Sequence, residues 1–194
     1  MTLPKIAILI SGTGSNMESI VKACKTGELK AEVTFVGSSS SSAKGLQTAA
    51  SYGIDTCVFN YKSLEREKAE KEIIEKIIKT NSEWIILAGF MRVLSPAFVK
   101  RFTGKIINIH PSLLPLFPGA HGIEDAWNSG IKVSGVTIHI VDEGVDTGPI
   151  LAQEKVLRLP NDTIELFEER IHQTEHMLYK STLKKLFAEN KKNK

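Results

Sequence analysis

Cysteine is scarce in this 194-residue chain: only Cys24 and Cys57 occur. They lie far apart and lack C-x-x-C spacing, so neither a disulfide framework nor a thiolate metal site is suggested. Each is expected to serve as a small buried hydrophobe. Long apolar runs are missing too. The first, Ile6 to Ile10, follows Pro4, lacks a small-residue cleavage pattern and is too short for a signal-peptide core. Nothing approaches the roughly 18 apolar residues of a membrane span, so a cytoplasmic protein with no membrane partner is the simplest expectation. Charge of one sign is also in short supply. With 25 Lys and Arg against 22 Asp and Glu, the net charge is +3. That balance gives no strong pull toward nucleic acid, while a small anionic substrate remains compatible.

What is present suits one compact globular domain or two intimately packed halves: 42% of residues are hydrophobic and 24% charged. Lys5 to Ser11 is a nearly continuous apolar run ended by a glycine-rich turn, the pattern of a central strand buried on both faces. From Asn16 to Lys25, Met17, Ile20, Val21 and Cys24 recur at helical spacing, with Gly27 as the stop. The alternation repeats with a strand over Glu32 to Gly37, a helix over Ala43 to Tyr52 and a short strand over Thr56 to Phe59. A charged helix is predicted from about Leu64 to Thr80, and strands over Trp84 to Ala88 and Lys105 to Ile109. Strands alternating with helices imply βαβ crossovers and a largely parallel, doubly wound α/β sheet with helices on both faces. Ligands in such sheets collect beyond the carboxyl ends of the strands.

After Pro111 the character changes. Pro115, Pro118, Gly119 and Gly122 mark an irregular stretch, followed by a helix around Ile123 to Ser129. Val133 to Val141 and Ile150 to Leu157 are predicted to extend the sheet, with a functional loop through Asp142 to Pro149 between them. Thr163 begins a final amphipathic helix whose lysine-rich end is expected to fray. The run Ser38 to Ser42 is expected to be a solvated loop.

Three motifs carry chemistry. In Ser11-Gly12-Thr13-Gly14-Ser15-Asn16, glycines let the backbone approach a ligand, and free amides at a helix start attract phosphate. Met17 stands where a third glycine would complete the dinucleotide pattern, so a mononucleotide phosphate fits better; a plain turn capped by Ser15 or Asn16 is the structural alternative. In Asn108-Ile109-His110-Pro111, residues two apart on a strand share a face, so an amide donor and an imidazole should converge. Asn108 suits charge stabilisation on a carbonyl oxygen and His110 suits proton transfer near neutral pH. Asp142-Glu143-Gly144-Val145-Asp146 lacks the ligand spacing of a calcium loop. It is either an exposed acidic turn or the source of a carboxylate that orients His110.

Together with Leu87-Ala88-Gly89-Phe90-Met91-Arg92-Val93-Leu94 and Gln173-Thr174-Glu175-His176, these motifs resemble the phosphoribosylglycinamide formyltransferases of purine biosynthesis. The resemblance covers essentially the whole chain. It implies a formyltransferase-type, Rossmann-like fold, a single domain over 1–194, and an antiparallel extension in its C-terminal half. Residues 1–110 would form a mononucleotide-binding half and 111–194 would complete a folate site. It further implies transfer of the formyl group of 10-formyltetrahydrofolate to the glycinamide amine, without a metal. The expected catalytic trio is Asn108, His110 and Asp146. Gly12, Thr13, Gly14, Ser15, Asn16 and Glu175 would hold the ribonucleotide, with Glu175 on its ribose. Arg66, Met91, Arg92, Val93, Leu94, Asn108, Asp142 and Glu143 would hold the folate, Arg66 facing its carboxylate tail. His121 and His139 would take supporting roles, and His172 and Met177 structural or solvent-facing ones. Partners would be small molecules, and the protein a monomer or homodimer.

By the same resemblance, a tetrahedral intermediate would form with Asn108 and protonated His110 on its oxyanion. Asp146 would keep His110 charged and help carry the proton to the departing folate nitrogen. Three alternatives compete. A formyltetrahydrofolate hydrolase usually adds an N-terminal regulatory domain, for which this chain has no room. A methionyl-tRNA formyltransferase adds a C-terminal tRNA domain, whereas here a single helix is expected last. A non-catalytic nucleotide-binding module would explain the glycine loop but leave Asn108, His110 and Asp146 without purpose.

Overall fold

In the computed structural model, which describes residues 2–59, 61 and 65–192, β1 (Lys5–Ile10) lies near the middle of a mixed sheet. Both of its faces are apolar, as its sequence demands. Ile6, Ile8 and Ile10 enter one core with Met17, Ile20, Phe167 and Leu183. Ala7 and Leu9 enter a second core on the opposite face with Phe35, Ile73, Ile77 and Phe98. Five strands run parallel: β1, β2 (Glu32–Ser38), β3 (Thr56–Val58), β4 (Trp84–Leu87) and β5 (Ile106–His110). Then β6 (Val133–Ile140) and β7 (Ile150–Leu157) pair antiparallel at the far edge. The spatial order is β3-β2-β1-β4-β5-β6-β7.

The chain therefore steps outward from β1 to β3, then returns to lay β4 on the other side of β1. That reversal opens a crevice beyond the carboxyl ends of β1 and β4, where ligands of open α/β sheets bind. The first core is covered by α1 (Ser15–Thr26), α2 (Lys44–Ser51), α5 (Gly122–Asn128) and α6 (Ile164–Lys192). The second is covered by α3 (Arg66–Thr80) and α4 (Pro96–Arg101). The Tyr179 hydroxyl, fully buried, reaches the carbonyls of Leu87 at 3.0 Å and Ile107 at 2.9 Å and so pins α6 to the ends of β4 and β5.

Several expectations need correction. α4 was not foreseen, because six residues carry too little periodicity. Its start is nonetheless marked by Ser95-Pro96, an N-cap followed by proline at the first helical position. The Ser95 backbone N–H and hydroxyl both donate to the buried Glu70 carboxylate of α3. The serine run is not simply a solvated loop, since Ser38 and Ser39 are buried at the end of β2. Cys24 and Cys57 are half-buried rather than buried, and desolvation pushes both thiols up to about 11. No side chain caps α1, whose N-cap is Gly14 with φ 77°. The final helix extends through Lys192, while residues 193 and 194 lie outside the described set, as does the expected helix start at Leu64. Among the described residues, no helix is long and apolar enough to cross a membrane.

Candidate active site

The glycine-rich loop between β1 and α1 is shaped by close backbone packing. Gly14 lies in left-handed backbone, and its Cα sits beside Gly45 of α2, whose N–H donates to the Gly12 carbonyl at 3.1 Å. A side chain on either glycine would drive the loop and α2 apart. With the first-turn amides of α1 uncapped by any side chain, they are left for an anion. This loop lines a cavity of about 520 Å³, closed on the other sides by His121, Glu124, Glu168, His172 and Glu175.

Glu175 is buried at the base of that cavity. Asn16 Nδ2 of α1 donates to its Oε2 at 3.0 Å, and His172 Nδ1 lies 2.8 Å from the same oxygen. Asn16 Oδ1 is buried with no hydrogen-bond partner among the described residues.

A second cavity of about 260 Å³ adjoins the first, and Gly89, Met91, Ile109, Pro111 and Ala120 belong to both walls. Met91, Arg92, Val93 and Leu94 line it, as does Val145 from the opposite loop. Met91, Val93 and Val145 are large apolar residues left more than half exposed here, a surface that suits a planar ligand. Of the acidic loop, Asp142 lines the cavity while Glu143 does not. Asp142 Oδ1 instead accepts from the Gly144 N–H at 3.1 Å and the Thr147 hydroxyl at 2.8 Å, organising the turn. Arg66 also lies outside the cavity lining, at the exposed start of α3. Its charge acts on the Tyr61 phenol, the ring over which the Arg92 guanidinium packs at 5.6 Å.

The amide, imidazole and carboxylate do meet, at the inner end of this second cavity. Asn108 and His110 share one face of β5, as their spacing requires. Asp146 reaches both: its Oδ2 is 3.4 Å from His110 Nδ1, and its Oδ1 accepts from Asn108 Nδ2 at 3.5 Å. The Gly119 N–H holds Oδ2 from behind at 2.8 Å. His110 Nε2 lies 2.7 Å from the Phe117 carbonyl; a carbonyl only accepts, so Nε2 carries a proton and Nδ1 is the nitrogen left facing Asp146 and the cavity. Both of these partners, Phe117 with φ 52° and Asp146 with φ 55°, occupy left-handed backbone. Gly122 lies close under the same ring, where a side chain would meet Nε2 at 3.1 Å.

His139 sits directly across from Asn108 on β6 and is buried. Its Nδ1 faces the Ile140 carbonyl at 3.1 Å, so its Nε2 is placed to accept from Asn108 Nδ2, 3.1 Å away. Burial pushes the Asp146 carboxyl up, but the neighbouring His139 ring, the Gly119 N–H and the imidazole of His110 outweigh it and hold the group below its ordinary value. A carboxylate beside an imidazole, and an amide with one N–H only weakly engaged, form an arrangement that can stabilise an oxyanion and move a proton. Among the described residues no group of three or more His, Cys, Asp or Glu could hold a metal ion.

Sequence reasoning gave Ser11 no role of its own within its motif, did not name Gly45, and made His172 structural or solvent-facing, whereas His172 lines the first cavity. Ser11 Oγ accepts from the Met91 N–H at 2.8 Å and bonds Ser39 Oγ at 2.7 Å, which ties the β1 loop to the segment after β4.

Residues 4–183 match the family described as formyl transferase. A curated relative, phosphoribosylglycinamide formyltransferase of Bacillus subtilis, is 42% identical over 97% of this chain and 97% of its own length. The Escherichia coli enzyme of the same name is 39% identical, over 90% of this chain and 82% of its own. The chain also matches 14% of the trifunctional purine biosynthetic protein adenosine-3 of Drosophila melanogaster, at 42% identity. Among solved structures, phosphoribosylglycinamide formyltransferase from Streptococcus pneumoniae superposes with a TM-score of 0.90 at 42% identity, over 95% of this chain and 99% of that one. Glycinamide ribonucleotide transformylase 1 from Symbiobacterium toebii gives 0.92 at 36% identity, over 97% and 89%.

Proposed function

We propose the chemistry of this cleft from one premise: the chain belongs to the phosphoribosylglycinamide formyltransferase family. It transfers the formyl group of 10-formyltetrahydrofolate to the amine of phosphoribosylglycinamide, a step of purine biosynthesis. The observation that carries the site assignment is the convergence of Asn108, His110 and Asp146 at the inner end of a cavity that shares a wall with a second one. Two reactants, one in each cavity, would meet at that wall.

In this reading the uncapped start of α1 and the Gly12–Asn16 loop take the ribonucleotide phosphate, and Glu175 takes its sugar hydroxyls. The apolar surface of Met91, Val93, Leu94 and Val145 receives the pterin of the folate. Arg92 at the lining and Arg66 beyond it would meet its carboxylate tail, since a guanidinium pairs well with a carboxylate.

When the amine attacks the formyl carbon, the loosely held N–H of Asn108 and the Nδ1–H of His110 turn to the carbonyl oxygen as it becomes an oxyanion. Asp146, ionised at neutral pH, stabilises the imidazolium and relays the proton lost by the amine toward the departing nitrogen, directly or through water. The neutral amine and formyl group become a charge-separated intermediate beside donors that need only a small adjustment, so little reorganisation opposes the step.

The partners in this reading are small molecules, with no nucleic acid, acting in the cytoplasm as a monomer or homodimer. The test is to mix the protein with 10-formyltetrahydrofolate, with and without phosphoribosylglycinamide, and to follow the deformylated folate by absorbance. Release that requires the amine supports transfer. Release at the same rate without it would make the protein a hydrolase and sink the reading.

A further inference from the structure

His172 lies on the face of α6 that also carries Glu168 and Glu175, and all three line the ribonucleotide cavity. Its two ring nitrogens point at different carboxylates: Nδ1 is 2.8 Å from Glu175 Oε2, and Nε2 is 3.4 Å from Glu168 Oε1. A carboxylate only accepts hydrogen bonds, so satisfying both contacts requires a proton on both nitrogens, which makes the ring an imidazolium. The second donor to Glu175, Asn16 Nδ2, reaches the same oxygen, Oε2. With both donors on Oε2, Oε1 is left for a ligand. Asn16, the other donor, keeps its own Oδ1 buried and unpartnered among the described residues. A carboxylate oxygen left free in this way accepts from a hydroxyl donor such as that of a sugar.

We propose that His172 is a positioning residue for the ribonucleotide: as an imidazolium clamped between Glu168 and Glu175, it holds Glu175 with Oε1 toward the sugar hydroxyls. This rests on the reading that Glu175 contacts the substrate. The charged groups about the ring are Glu168 and Glu175 on its own helix and His176 one turn on. Across the cavity stand His121 and Glu124, while α1 presents the neutral Asn16. Among the described residues no lysine or arginine lines this cavity, so none of them competes there for Glu175. The hydrogen bond to Glu175 raises the His172 pKa against the opposing effect of burial. Burial lowers that of His176, so the two rings are shifted in opposite directions. Because the folded value is raised, the clamp is complete below the ordinary value of 6.5 and is lost as pH rises through the higher folded one.

The experiment compares wild type, His172→Gln, His172→Leu and Glu175→Gln in steady-state kinetics across pH. Wild type should lose kcat/KM for the ribonucleotide on the alkaline side of the His172 titration. In His172→Gln that step should vanish, because an amide donates at every pH; titrations of the substrate itself are common to both proteins and cancel. His172→Leu should raise the ribonucleotide KM by about tenfold, with kcat and the folate KM nearly unchanged. In nuclear magnetic resonance, the His172 ring should titrate lower in Glu175→Gln than in wild type. An alkaline step that persists in His172→Gln, or a His172→Leu protein with wild-type ribonucleotide KM, overturns the proposal. Should Glu175→Gln alone leave that KM unmoved, the reading of Glu175 itself fails.

Discussion

Nδ1 of His110 lies 3.4 Å from Oδ2 of Asp146, while Nε2 of the same ring is tied to the Phe117 carbonyl. The ring is thus fixed at one nitrogen and poised at the other. Because the Asp146 carboxyl is held below its ordinary value of 3.8, its charge and the stabilisation it brings are complete above that value. They are lost as pH falls through the lower folded one. Replacing Asp146 with Asn removes the charge at every pH. Turnover should fall by about 10²- to 10⁴-fold, and the pH profile of kcat should change shape as well as height. A profile that is merely scaled down would argue that Asp146 does not act through His110.

Asn108 divides its N–H groups between His139 at 3.1 Å and Asp146 at 3.5 Å, the second contact being at the limit of a hydrogen bond. That weak engagement is what frees a donor for the oxyanion. Asn108→Ala should lower kcat by about 10²- to 10³-fold, with little effect on either KM. A loss seen only in KM would make Asn108 a binding group.

Gly45 was not recognised in the sequence as part of the site. A Cβ there would meet Ile10 Cδ1 at 2.5 Å, Gly14 Cα at 3.1 Å and the Thr13 carbonyl at 3.1 Å. Gly45→Ala is expected to displace the phosphate loop, raising the ribonucleotide KM while sparing the folate KM, and to cost about 1–3 kcal/mol of stability. Kinetics and chemical denaturation of the one variant check both statements; wild-type values for both would show that the loop yields freely.

Tyr179 offers one hydroxyl to two strand carbonyls in the core. Tyr179→Phe leaves those carbonyls one donor short, so stability should drop by about 1–3 kcal/mol, read as a lower urea midpoint at unchanged slope. Since Glu175 is one turn away on α6, the ribonucleotide KM should rise as well. An unchanged midpoint would mean the carbonyls find other partners.

The architecture was legible because β1 and β4 are apolar on both faces and the strands alternate with helices, a pattern that a covered parallel sheet satisfies. The shared face of Asn108 and His110 follows from strand geometry alone. Asp146 does not: its approach depends on a left-handed backbone at a non-glycine position and on the Gly119 N–H behind it, neither of which has a local signature. The start of α4 was written in Ser95-Pro96 but hidden by the brevity of the helix. Glu168, His172 and Glu175 stand four and three residues apart, the spacing of one helical face. That face was readable, yet nothing local said it bordered a cavity rather than solvent. The apolar exposure of Met91, Val93 and Val145 becomes informative only when the three are seen around one hollow.

Both residues that grip the His110 ring, Phe117 and Asp146, hold backbone angles that cost a side-chain-bearing residue about 1–2 kcal/mol. Neither would stay there unaided; the surrounding loops must press them into place. Loosening of those loops therefore reaches the imidazole well before it reaches the strands beneath. On warming, formyl transfer should fade while the sheet is still intact, so that the temperature limit of the enzyme belongs to two peptide units and not to the whole fold.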